Sequence, residues 1–139
     1  MNAAARADNA DVDDEPDYVR LAEFRKALRA FLRWSEEQVR DVGLTTMQHQ
    51  LLLAIRGRGG APTIGELAED LMLRHHSTGE LVNRAEAAGL VARSQDAGDR
   101  RQTRVTVTGA ANRVLRQLSE QHLNEIRRLA PIVDSLTRS

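Results

Sequence analysis

The sequence predicts a mainly α fold with a single small β-hairpin, and three observations carry that expectation. Apolar side chains recur with a period near 3.6 over most of the chain, the period shortens to 2 only after Gly89, and the two longest amphipathic runs stand at opposite ends of the patterned part. At 139 residues the chain has the length of one ordinary domain, with mass for one modest core.

Between Tyr18 and Asp41, Leu21, Phe24, Leu28, Phe31, Leu32 and Val39 recur among arginines and glutamates, which predicts a long amphipathic helix. The stretch VGLTTMQ breaks it. Thr45 followed three residues later by Gln48 forms a capping box that opens a second helix, running through Ile55 to the glycine-rich GRGG. Pro62, Thr63 and Glu66 mark the next start, a second capping box launching IGELAEDL with Ile64, Leu67, Ala68 and Leu71 as its buried stripe. After a few residues a fourth helix, His75 to Ala88, places Thr78, Leu81, Val82 and Ala85 on one face and ends at Gly89, a residue suited to the left-handed C-terminal position.

The change of period follows. LVARSQ and TRVTVT flank the turn-rich DAGDRRQ, and Val105 and Val107 alternate with Arg104 and Thr106 as in a half-buried hairpin, the only sheet the sequence predicts. From Gly109 the spacing of Val114, Leu115, Leu118, His122, Ile126 and Leu129 predicts another long helix, interrupted at Pro131 and followed by a short terminal helix in IVDSLTR.

Composition narrows the function. The longest apolar run, LLLAI, falls far short of the roughly 20 residues a membrane-spanning helix needs. The first residues lack a basic flank followed by an apolar stretch, so no secretory leader is expected and the protein is placed in the cytoplasm, with no membrane partner. Without cysteine there is no disulfide, thiolate zinc site or thiol switch. The formal charge of zero hides an asymmetry: residues 1–17 hold one arginine against six acids, a balance of −5, which leaves +5 on the remainder. Residues 1–17 are also poor in bulky apolar side chains and are read as a disordered acidic tail. The four aromatics, Tyr18, Phe24, Phe31 and Trp34, all lie near the start and none lies beside the arginines of the second half. Readers of single strands stack bases on exposed aromatics, so duplex DNA suits this chain better.

A short helix, a tight turn, a second helix and then a β-hairpin is the plan of a winged helix-turn-helix, in which the second helix of the pair enters the major groove. The long terminal helices are amphipathic but too long for so small a core to cover, and a second copy of the chain is the economical partner. The chain accordingly divides into the acidic tail (1–17), an N-terminal dimerisation helix (18–43), a winged helix-turn-helix lobe (44–108) and C-terminal dimerisation helices (109–139).

Residues 44–108 resemble the MarR family of bacterial transcription regulators. LMLRHHSTGELVNRAEAAGLVAR is similar to the family's recognition-helix region, in which an LVDRLE-like core, here LVNRAE, leads through Gly-Leu into the first wing strand. DAGDRRQTRVTVT resembles the family's wing, with Asp99 and Arg101 at its Asp-x-Arg signature and Val107-Thr108 at the strand's end. The flanking helices extend the resemblance to residues 18–139. It implies a homodimeric, ligand-responsive repressor of transcription, bound to a pseudo-palindromic operator and using no cofactor. It also implies that Arg101 enters the minor groove while Asp99 braces an arginine. Three positions depart from the family pattern. Arg74 replaces a small helix-capping residue, so capping shifts to Ser77 or that end is held differently; Asn83 replaces an aspartate; and Glu80 repels phosphate unless it faces a cytosine amine or an arginine.

The paired histidines of RHHST, Arg74 to Thr78, are weighed in this frame. Successive helical side chains point about 100° apart, so His75 and His76 are poorly placed to share a metal. No nucleophile, base and oxyanion motif surrounds them, and no enzyme activity is expected. Arg74, His75, His76, Ser77 and Thr78 are assigned as a DNA-facing group at the start of the recognition helix; the alternative is a solvated polar stretch with Thr78 partly buried. Arg100, Arg101 and Arg104 cluster near the hairpin tip as wing contacts, with an ordinary solvated turn as the alternative. Arg84 binds phosphate or pairs with a wing acid. MarR relatives hold small aromatic or anionic effectors between the dimerisation helices and the DNA-binding lobe, and Trp34, Met47 and His49 are placed to line such a pocket, although core packing accounts for them equally well. Two other functions keep the same fold: a protein-interaction module that does not bind DNA, and a metal-responsive regulator using helical histidines such as His49 and His122, each of which also reads as a packed core residue.

Overall fold

In the computed structural model, which describes residues 15–138, the chain forms helices α1 (Tyr18–Asp41), α2 (Thr46–Gly57), α3 (Ile64–Leu71) and α4 (His75–Ala87). Strands β1 (Val91–Gln95) and β2 (Thr103–Val107) and a last helix, α5 (Gly109–Thr137), follow. The acidic tail expected at residues 1–17 lies almost wholly outside the described residues.

The helix ends are set by local chemistry. Asp17 caps α1, its carboxylate accepting the Arg20 backbone N–H at 3.1 Å. Both capping boxes form. Thr45 accepts from the Gln48 N–H at 3.1 Å while Gln48 accepts from the Thr45 N–H at 3.0 Å, and Thr63 and Glu66 exchange the same pair of bonds at 3.2 and 3.1 Å. Gly89, at φ 75°, closes α4 in the left-handed conformation, with the Leu90 N–H returning to the Ala85 carbonyl at 2.9 Å. The tight turn after α3 uses Met72 for the same purpose at φ 55°, although a side chain there is strained.

One expectation needs correction. Pro131 does not interrupt the last helix, which runs unbroken through it to Thr137. Arg127 and Pro131 are both exposed, so the carbonyl that loses its helical donor has water within reach, which reduces the cost of an interior proline. The sheet is the expected two-stranded hairpin. β1 and β2 pair antiparallel, with Val91 opposite Val107 and Arg93 opposite Val105, but the Val105 N–H also donates to the Pro62 carbonyl at 2.9 Å and Thr63 bridges to Arg104. The segment before α3 thus joins the hairpin through one isolated bridge, which fixes the base of the wing.

One core joins these pieces. Leu51, Leu52 and Ile55 of α2 meet Leu67 of α3, Val82 and Ala85 of α4, Val91 and Val105 of the hairpin, and Ala111, Leu115 and Leu118 of α5. Arg58, beyond the end of α2, clamps α3 from outside, donating to Asp70 at 2.8 and 3.0 Å and to Glu66 at 3.1 Å. The first part of α1 and the last part of α5 lie against each other away from this core.

Candidate nucleic-acid interface

Helix α4 is held along one side only. Thr78, Val82 and Ala85 have no exposed surface, and they define the face turned to the core. At about 100° per residue, His76, Glu80 and Asn83 stand roughly 160°, 200° and 140° round the helix from Thr78, in the middle of the opposite face. All three are exposed, as are Arg74, His75, Ser77 and Arg84. Thr78 is therefore not DNA-facing: it sits on the buried stripe, and its hydroxyl donates to the Arg74 carbonyl at 2.9 Å. Arg74 occupies the N-cap without a side-chain bond, so its replacement of a small residue leaves this helix start uncapped and Ser77 does not take over.

The outward face is laced by charge. His76 Nε2 lies 3.3 Å from Glu80 Oε1, and Arg84 Nη2 lies 3.8 Å from Glu80 Oε2, one turn to either side. Arg84 thus pairs with an acid of its own helix rather than of the wing. Arg93 of β1 reaches across, donating to the Gly79 carbonyl at 3.4 Å and to the Asn83 side-chain oxygen, with Glu86 at 4.0 Å. The departure at Asn83 replaces an expected carboxylate with an amide that the wing still holds. Glu80, Asn83 and Arg93 were not among the sequence-assigned contacts. The signal for the first two was present, because counting helical steps from the Thr78–Val82–Ala85 stripe leads to them; Arg93 required the β1–α4 packing.

In the wing, Arg100 and Arg101 are exposed at the turn. The Arg101 backbone N–H donates to Asp99 Oδ1 at 3.0 Å, and its guanidinium lies 3.8 Å from the same carboxylate, so Asp99 is placed to steady this arginine. Arg104 differs. Its guanidinium donates to the Ala61 carbonyl at 3.1 Å and to Asp96 at 3.4 Å and lies 3.6 Å from Glu66, so it ties the wing to the start of α3 instead of projecting from it. The physical reason is the isolated bridge that brings Thr63 alongside Arg104.

A second feature lies between α1, α2 and α5, a cavity of about 590 Å³ walled by Phe31, Ser35, His49, Ser119, His122 and Ile126 among others. Of the three residues expected to line such a pocket, only His49 does. Trp34, one step round α1 from Ser35, packs instead on the His122 ring, with centroids 4.9 Å apart, and Met47, about 200° round α2 from His49, lies outside the wall. His122 is held at both nitrogens: Nδ1–H donates to the Leu118 carbonyl at 2.6 Å, and Nε2 lies 2.7 Å from the Ser35 hydroxyl. The His49 ring lies 5.0 Å from it. Burial first, and the neighbouring His122 second, push the His49 imidazole below its ordinary pKa. Among the described residues no group of three His, Asp or Glu side chains is arranged to hold a metal ion.

A helix with one face packed and the other polar, presented by a preceding short helix and a left-handed turn and flanked by an arginine-tipped hairpin, defines a winged helix-turn-helix protein. The family model for the MarR family matches residues 42–102. Solved structures agree in fold. RV1404 from Mycobacterium tuberculosis superposes with a TM-score of 0.72 at 25% identity, covering 85% of this chain and 82% of that one. NadR in complex with 4-hydroxyphenylacetate gives 0.68 at 17% identity over 86% and 82%. A variant of S. aureus MepR bound to an oligodeoxyribonucleotide gives 0.65 at 19% identity over 84% of each chain. No curated protein matches the sequence. The winged-helix lobe is thus similar to the MarR family over residues 42–102, and its fold is that of these solved structures.

Proposed function

We propose that this protein is a regulator of transcription that binds specific double-stranded DNA as a homodimer on a pseudo-palindromic operator, and that a small aromatic or anionic effector modulates the binding. One observation carries the reading: the exposed polar face of α4 lies beside a wing whose tip presents Arg100 and Arg101 to solvent. His75, His76 and Ser77 at the start of α4, with Arg74 before it, approach base edges and phosphates, Arg84 lies further along the same helix, and Arg101 enters the minor groove. Thr78 and Arg104 support this surface from within. The +5 balance outside residues 1–17 suits a polyanion. The MepR variant bound to an oligodeoxyribonucleotide has the same fold.

The long helices supply the second copy. Leu21, Leu32, Leu123, Ile126 and Val133 are exposed along α1 and α5, an apolar surface that a partner's matching helices would cover. Two α4 helices would then meet successive major grooves about 34 Å apart. The cavity beside His49 and His122 lies at the junction of these helices with the lobe, and NadR carries 4-hydroxyphenylacetate in a protein of this fold. An effector there releases the operator only through different affinities for the two spacings of the α4 helices, and the regulator acts as a repressor. No described helix is long and apolar enough to cross a membrane, and a cytoplasmic location fits a DNA ligand.

Gel shifts against the upstream region of the protein's own gene, over a salt series, test the reading. Affinity falls steeply with salt, Arg101→Ala lowers it for every duplex, and His76→Ala alters sequence preference. Binding that is undetectable or indifferent to salt overturns the proposal in favour of a protein-interaction module.

A further inference from the structure

We infer that Glu80 is a specificity-determining residue whose carboxylate accepts a hydrogen bond from the exocyclic amine of a cytosine, so that each operator half-site requires a C·G pair at one position. The inference rests on the reading that α4 enters the major groove of duplex DNA.

Placement comes first. Glu80 lies between His76 and Asn83 at the centre of the face opposite Thr78, Val82 and Ala85, so a groove-bound α4 carries its carboxylate towards the base edges. An acid there meets the negative potential of two phosphate rows; Arg84, 3.8 Å away along the helix, offsets part of that repulsion, and towards the base edges a hydrogen-bond donor on a base offsets the rest. The major groove offers two such donors. The adenine amine stands beside the N7 acceptor, which repels a second carboxylate oxygen, whereas cytosine presents its amine alone.

The side chain is also prepared for that contact. His76 approaches one carboxylate oxygen and Arg84 the other, from one turn before and one turn after, so the group is aligned along the helix and shielded from the phosphates on both sides. Each oxygen keeps a free lone-pair direction. Next to it, the Asn83 oxygen accepts from Arg93, which takes up one of its two lone pairs and leaves both amide N–H donors free. The face thus presents an acceptor at position 80 beside donors at position 83, a pattern that discriminates between bases rather than merely attracting a polyanion.

Selection from randomised duplexes, using the full chain at fixed salt, tests the inference with wild type, Glu80→Gln and Glu80→Ala. Wild type selects cytosine at one position per half-site, and replacing that base costs about tenfold to a hundredfold in affinity. Glu80→Gln moves the preference at that position towards adenine, which the amide can bind through N6 and N7, and Glu80→Ala becomes indifferent there; every other position keeps its preference. Position 80 is exposed, and circular dichroism of both variants confirms that the helices remain. If both variants keep the wild-type consensus and bind all duplexes more tightly, Glu80 is only a repelling charge and the inference is overturned. If wild type itself binds no duplex in a salt-dependent way, the DNA reading fails and this inference fails with it.

Discussion

The winged-helix lobe and the pair of long helices are built from similar fractions of apolar residues, yet they dispose of them in opposite ways. In the lobe, Leu51, Leu52, Ile55, Leu67, Val82 and Val105 all reach 0% exposure around one centre. Along the 24 residues of α1 only Val39, beside the lobe, is buried, and in α5 burial stops at Leu118. Beyond those points Leu21 and Leu123 each stand 53% exposed. The difference separates two sources of order: the lobe is stabilised by its own packing, whereas the long helices leave apolar surface exposed that a second copy would cover in the proposed dimer.

The strongest way to break this contrast is inside the lobe. Leu52→Ala removes a fully buried side chain and should cost about 2–5 kcal/mol in urea denaturation, and a smaller loss would mean the core is looser than its burial implies. The matching change outside is Ile126→Glu. It should leave the lobe's helical signal intact while weakening self-association by about 2 kcal/mol, roughly thirtyfold, in sedimentation equilibrium. Unchanged association would remove α5 from the interface. Thr63→Ala deletes the cap of α3 and should lower stability by about 1 kcal/mol, with no effect on association. Met72→Gly relieves the left-handed strain in the turn between α3 and α4 and should raise stability by about 0.5–1 kcal/mol, read as a higher melting temperature.

The mildest probe is acid, because it acts at the seam between the two regions. The fold favours a neutral His49, so as pH falls below the ordinary histidine value of 6.5 the unfolded chain takes up the proton first. Stability is complete above that pH, declines below it, and stops declining once the folded ring is protonated too. Glu66, held low chiefly by its bonds from Thr63, and Asp70, held low by Arg58, add a second loss that begins as pH falls below their ordinary values of 4.5 and 3.8 and ends once the folded carboxyls are protonated too. Melting temperature against pH should therefore fall in two stages, and His49→Phe should abolish only the first.

The sequence made the elements legible wherever a short-range signal decided them. Asp17, the two capping boxes and Gly89 fix helix ends through bonds spanning a few residues, and α1 and α3 begin and end where the apolar period and its caps place them. What escaped depends on contacts between distant residues. Arg104 looked like a DNA contact because its neighbours are arginines, and only the approach of Ala61, 43 residues away in the chain, turns it inward. Pro131 looked like a helix end because the cost of an interior proline depends on local solvent access. Thr78 falls both on the apolar stripe of α4 and within the polar RHHST stretch, and the helical period alone decides for the buried stripe. Trp34 and Met47 were each misplaced by a rotation about a helix axis, a detail that apolar spacing resolves poorly when several faces are partly covered.

The unbroken run of α5 has a mechanical consequence. Only Thr108 separates the end of β2 from a rod of 29 residues, roughly 43 Å long, so no slack joint lies between the arginine-tipped finger and the far apolar end. In the proposed dimer, any twist or tilt imposed where two such rods touch would be delivered directly to the root of the finger, and a proline that cut the rod in two would absorb that torque before it arrived.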